Sequence, residues 1–201
     1  MLHHPLTGSR PMLIRRLLVC ALLLLTTASG QAEEPLPVHS KWGGDFTLTD
    51  QHGLPISLSD FNGRLVLLTF GYTHCPDICP NTLLTLKSAI NKLGDEADRV
   101  QVVFITLDPE RDYPERLKTF VEFFNPAFVA LSGSEEEIAA VAQAYGTKYE
   151  KEFFDSELNY GIAHTTIIYL IDTRGRIRAF YKLSAPPSRI ASDMKKLLQE
   201  R

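Results

Sequence analysis

The sequence predicts an α/β layered fold that opens with a β-hairpin. Two observations carry the prediction. Apolar runs of strand length alternate with segments whose apolar residues recur at helical spacing. One of those runs, residues 65–70 (LVLLTF), is apolar without interruption, as expected of a strand buried on both faces.

The elements follow in order. Residues 46–58 (FTLTDQHGLPISL) alternate apolar and polar around Gln51-His52-Gly53 and read as the hairpin. LSDFNGR reads as a turn. After LVLLTF, residues 80–93 place apolar side chains at 83, 86, 90 and 93. With Pro80 in the first turn and Gly94 just past the end, that stretch is a helix. Residues 100–107 (VQVVFITL) form a strand. Residues 114–124 form a helix with Leu117, Phe120, Val121 and Phe124 on one face. Residues 128–131 form a short strand. Residues 134–145 form a helix with a capping box, Ser134 and Glu137, and with Gly146 as its stop. Residues 147–163 show no clear period and read as a long loop. Residues 165–172 (TTIIYLID) form a strand, Asp172 to Gly175 a turn, and residues 176–181 the returning strand. The last helix spans residues 188–199 and packs Ile190, Met194 and Leu197.

The first 32 residues differ in character. Arg10, Arg15 and Arg16 precede a short apolar core, residues 17–25 (LLVCALLLL), and TTASGQA offers cleavage after Gly30 or after Ala32. This is the pattern of a secretory signal peptide. Read more generously, residues 12–28 make an N-terminal anchor. Residues 33–44 then read as a linker and 45–201 as the folded domain. The expected location is the periplasm, or the inner membrane facing the periplasm if the segment is retained. The whole chain has a net charge of −3, and the leader holds three basic and no acidic residues, so the mature chain carries −6. That balance argues against a nucleic-acid binder, which needs a basic face. An apolar content of 44% suits a chain that buries a core.

Removing the leader also leaves two cysteines, Cys75 and Cys79, in FGYTHCPDICPNT. One pair cannot staple a domain of this size, so the pair needs a local reason. Cys79 directly precedes the predicted helix start, where free N–H groups and the helix dipole stabilise a thiolate. Cys75 sits in the loop leaving the strand. Four residues of separation allow a disulfide, and equally allow both sulfurs to face one ion. The motif supports a reversible disulfide or a two-thiolate metal clamp, never both at once. Two thiolates are soft and suit Cu(I). A structural zinc site would want four protein ligands. Of the histidines outside the leader, His39 lies in the linker, His52 at a hairpin tip and His74 beside Cys75. His164 opens the strand TTIIYLID, whose end converges on the same sheet edge in an open α/β fold. It reads either as a hydrogen-bonded loop histidine or as a ligand. Met194, the single methionine outside the leader, sits on a core helix, which excludes a methionine-based copper site.

GYTHCPDICP resembles the signature of the SCO/SenC family, the thioredoxin-like copper chaperones of cytochrome c oxidase assembly. The resemblance extends from GGDFTLTDQHG through LSDFNGRLVLLTFGYTHCPDICP and FITLDPERD to AHTTIIYLIDTRGRI. It implies a thioredoxin-like fold with a central mixed sheet flanked by helices. It also implies one copper ion per chain, bound by Cys75, Cys79 and His164. Implied partners are the copper-site subunit of a terminal oxidase, a thiol reductant and another copper carrier. The family often has an Asp before the histidine; here that residue is Ala163, which removes one source of help to the ligand. DPERD, residues 108–112, reads either as a charged turn and helix entry or as a partner-binding stretch.

The leading function is thus a metallochaperone rather than an enzyme. The competing reading is a periplasmic thiol–disulfide oxidoreductase with Cys75 and Cys79 as its redox pair. Against it, thioredoxin-type enzymes use two residues between the cysteines and a proline opposite, whereas this chain has three residues between and His164 before Thr165. A peroxidase of the Thr-x-x-Cys type is disfavoured because Thr73 is only two residues before Cys75. A purely structural disulfide would restrain the unfolded chain little, because the loop it closes is short.

Overall fold

The computed structural model describes residues 34–156 and 159–200, so the leader read over residues 1–32 lies outside the described residues. Among those described, no helix is long and apolar enough to cross a membrane. The core is a seven-stranded sheet in the order β2-β1-β5-β4-β3-β8-β9. Its strands are β1 (Thr47–Asp50), β2 (Pro55–Ser57), β3 (Leu65–Gly71), β4 (Val100–Thr106), β5 (Val129–Ser132), β8 (Ile167–Ile171) and β9 (Ile177–Lys182). β3 pairs parallel with β4 and antiparallel with β8, so the sheet is mixed. Every residue of β3 and of β4 is buried, which is why both read as unbroken strand-length runs.

The helices are α1 (Ile78–Asn91), α2 (Pro114–Phe124), α3 (Glu135–Ala144) and α4 (Pro187–Gln199). α1 contacts both α2 and α4. α3 has the expected capping box: Glu137 N–H donates to Ser134 Oγ at 3.2 Å, and Ser134 N–H donates to Glu137 Oε2 at 2.8 Å. Pro114 opens α2, where its missing N–H has no partner to lose.

Three expectations change. Residues 147–163 are not a loop: β6 (Tyr149–Ser156) and β7 (Asn159–His164) form a separate antiparallel hairpin. β6 exposes Glu150, Glu152, Phe153, Phe154 and Asp155, so it has no buried face to impose a period of two. β7 does alternate, with Tyr160 and Ile162 buried between more exposed neighbours. LSDFNGR is more than a turn: Leu58–Phe61 is a 3₁₀ turn that buries Leu58 and Phe61, and Gly63, at φ +90°, makes the corner after it. Finally, α1 starts at Ile78, two residues before Pro80, which puts Cys79 inside its first turn.

The stretch read as a linker touches the sheet. His39 N–H donates to Ile177 O at 2.9 Å, and buried Arg178 donates to the carbonyls of Leu36 and Pro37.

Register sets the site. β3 and β4 run side by side from Leu65↔Val100 to Gly71↔Thr106, and Leu107 N–H donates to Gly71 O at 2.7 Å. The cysteine loop and the Asp108–Asp112 segment therefore leave the same carboxyl edge as neighbours, where open α/β sheets place their ligand sites.

Candidate metal and thiol site

Cys75 and Cys79 are free thiols, and both are buried. The structure brings them together through the helix start. Cys79 N–H donates to Cys75 Sγ at 3.4 Å. The N–H groups of Asp77 and Ile78 also turn toward that sulfur. Cys75, not Cys79, is therefore the sulfur that occupies the α1 N-terminus. The free N–H groups of a helix point outward, beyond its first residue, and the earlier start of α1 gives that place to Cys75. Its thiol is pulled down to about 5, first by the hydrogen bond from the Cys79 thiol and then by these N–H groups, against burial. The Cys79 thiol is pushed far up, first because it donates to Cys75 and then by burial. One sulfur is a thiolate and the other holds its proton.

Gly71, the last residue of β3, makes room for the second sulfur. A Cβ there would lie 2.8 Å from Cys79 Sγ and 2.7 Å from Phe104 Cε2. Tyr72 follows and is buried. Its ring meets the His164 imidazole edge-on at 6.3 Å between centroids, and its hydroxyl reaches the backbone of Ile162. Burial pushes the Tyr72 phenol up, and the two sulfurs push it the same way, so Tyr72 stands in the field of both cysteines.

His164 ends β7. Its Nδ1 lies 3.1 Å from Thr165 O. A carbonyl can only accept, so Nδ1 carries the hydrogen, and in the neutral tautomer this contact selects, the lone pair is on Nε2. Among the described residues, the group of such side chains whose ligating atoms all fall within 4.8 Å is His74, Asp108 and Asp112; Cys75, Cys79 and His164 do not form such a group. The fold thus gathers the two sulfurs, and His164 meets the Tyr72 ring that stands in their field.

Asp108 and Asp112 are no solvated charged turn, since both are fully buried. Asp112 accepts from Thr73 N–H at 2.9 Å, from Thr106 Oγ1 at 2.6 Å and from the Thr73 hydroxyl. Its Oδ1 lies 3.7 Å from His74 Nδ1. Asp108 accepts from Tyr160 OH at 2.8 Å and from Arg111 Nε. Their oxygens are already spoken for by protein donors, so these two carboxylates organise loops rather than wait for a cation. Gly71, Tyr72 and Tyr160 were not singled out from the sequence. The sequence marked the stretch 108–112 but gave no signal that Asp112 is buried. No spacing rule marks Tyr160.

Residues 35–199 match the sequence model of the SCO1/SenC family. The mouse mitochondrial protein SCO2 homolog is 38% identical over 155 residues, 76% of this chain and 61% of the mouse protein. The chain thus spans about three-fifths of that relative. The SCO2-like protein of Rickettsia felis is 36% identical over 156 residues, covering 77% of this chain and 76% of its own. Among solved structures, copper-bound ScoI of Bradyrhizobium japonicum superposes with a TM-score of 0.72 at 38% identity, covering 78% of this chain and 99% of that one. The fold is the thioredoxin-like one, its mixed sheet flanked by helices. The chain belongs to the SCO1/SenC family.

Proposed function

We propose that this protein is a copper chaperone: it binds one copper ion through Cys75, Cys79 and His164 and delivers it to the copper centre of a cytochrome c oxidase. The observation that carries the reading is the pair of free, buried thiols at the start of α1, with the His164 ring set edge-on to Tyr72, whose hydroxyl stands in the field of both sulfurs. Soft sulfur with borderline nitrogen suits Cu(I), and copper-bound relatives support it. The Nδ1 hydrogen bond to Thr165 O is the kind of second contact that fixes a ligating histidine, and it stands in for the carboxylate that Ala163 cannot supply. Loading closes the gap between the imidazole and the sulfurs and removes the Cys79 proton. The protein acts on the periplasmic side of the membrane, with residues 1–32 as its signal peptide or anchor, residues 33–44 as a linker and 45–201 as the copper domain. The test mixes copper-loaded protein with a dithiol copper-site fragment of the oxidase and follows metal and thiols. Metal transfer that needs His164 and leaves the thiol count of the target unchanged supports delivery.

A second reading has its own observation. A thiolate at about 5 beside a protonated partner is the arrangement of a nucleophilic and a resolving cysteine. A thiol–disulfide reductase would lower the disulfide count of an oxidised target without copper and without His164.

A further inference from the structure

We propose that the segment Asp108–Asp112 is a bracket that sets the separation of the His164 imidazole from the two sulfurs, with Tyr160 as the positioning residue on the histidine side; this rests on the copper reading above. The bracket grips two loops. At one end Asp112 holds Thr73, two residues before Cys75, by its backbone N–H and its hydroxyl. Arg116 Nε donates to the same hydroxyl at 2.8 Å from the other side. At the other end the segment closes on Tyr160, four residues before His164. The Tyr160 hydroxyl lies 2.8 Å from Asp108 Oδ1 and 3.1 Å from Glu110 Oε2. Arg111 Nη1 donates to Tyr160 O at 2.9 Å, and its guanidinium lies 3.5 Å from the centroid of the Tyr160 ring. Lys151, on β6, adds an outer ion pair to Glu110 at 2.8 Å.

The segment is short and stiff. Asp112 N–H donates to Asp108 O at 2.9 Å, Arg111 N–H to the same carbonyl at 3.2 Å, and Pro109 fixes the turn. The β6–β7 hairpin shares no ladder with the seven-stranded sheet, so beyond its short link into β8 its seat rests on contacts such as those with Tyr160. A structural brace could be built from apolar residues at less desolvation cost. Here a set of buried charged and hydrogen-bonded groups ties the loop that carries Cys75 to the hairpin that carries His164, with Thr106 of β4 and Arg116 of α2 as further anchors. Hydrogen bonds give what apolar contact does not, a fixed distance and angle between the two. Neither Tyr160 nor Asp112 need touch the metal; each places a ligand that does.

Tyr160→Phe keeps the ring under Arg111 and the carbonyl it accepts through, and removes only the hydroxyl. In the metal-free, reduced protein, the variant is expected to show faster hydrogen exchange along β7 and a weakened Tyr72–His164 ring contact in proton NMR. The pH profile of Cys75 alkylation stays unchanged. In the copper-loaded protein the affinity falls by about tenfold, the scale of a lost ligand-orienting contact. In a His164→Ala background the same substitution costs nothing further. Glu110→Ala, at an exposed position, cuts only the outer part of the tie. It moves each readout the same way by less, and it carries the test if Tyr160→Phe does not fold. An unchanged ring contact and exchange pattern overturns the bracket. So does an equal loss of affinity with and without His164. If His164→Ala alone leaves copper affinity intact, the copper reading fails, and the metal-free readouts still decide whether Tyr160 positions the imidazole.

Discussion

At the scale of single residues, the chemistry turns on which sulfur is ionised. The thiol of Cys75, held at about 5, is a thiolate at neutral pH, while that of Cys79 is not. Alkylation of the reduced protein should therefore modify Cys75 first, with a rate that is flat above pH 6 and falls through about 5. In Cys79→Ala, which removes the largest stabilising contact, that midpoint should rise toward the ordinary thiol range. A depressed thiol pKa also links to stability. The ionised form contributes fully above the unfolded value of 9.0, and its contribution is lost as the pH falls to about 5. Denaturant midpoints should therefore decline over that window, and Cys75→Ala should flatten the decline. Gly71→Ala forces a methyl group to within 2.8 Å of Cys79 Sγ and should cost about 1–3 kcal/mol, measured by chemical unfolding. The sequence made the cysteine pair legible because its spacing and prolines are unusual. It could not show which sulfur caps the helix, because that depends on whether α1 begins at Ile78 or at Pro80.

At the scale of elements, the strands and helices of the main domain were readable because each has either one buried face that imposes a period or, in β3 and β4, burial on both faces that leaves an unbroken run. Residues 114–124 and the capping box at Ser134 came out residue for residue. The β6–β7 hairpin was not readable. Its first strand is solvated, so nothing in its polarity separates it from a loop, and its ladder and the side chains packed on β7 hold it in place. Charged residues in DPERD gave no hint of burial either, because burial here is licensed by partners elsewhere in the chain: Thr73, Thr106 and Tyr160. Asp112→Asn replaces a carboxylate oxygen with a donor that faces Thr donors. The expected loss is about 1–3 kcal/mol in unfolding free energy. Mobility at Thr73 and His74 should rise with it, seen as faster exchange of the Thr73 amide.

At the scale of the whole molecule, the proposed copper site would make the two free thiols a switch between copper-loaded and disulfide forms. Oxidation to a Cys75–Cys79 disulfide consumes both sulfur ligands, so the oxidised protein should hold no Cu(I). Protons are linked to loading as well. Between pH 7 and 8 Cys75 is already ionised and Cys79 is not, so binding should release about one thiol proton, and affinity should rise close to tenfold per pH unit. The central claim is that copper sits on Cys75, Cys79 and His164 together. Its most direct test is titration of the reduced protein with Cu(I) against a competing chelator, beside the His164→Ala variant. The expected result is one ion per chain, with His164→Ala folded but at least about tenfold weaker. Equal affinity in the parent and in His164→Ala would contradict it.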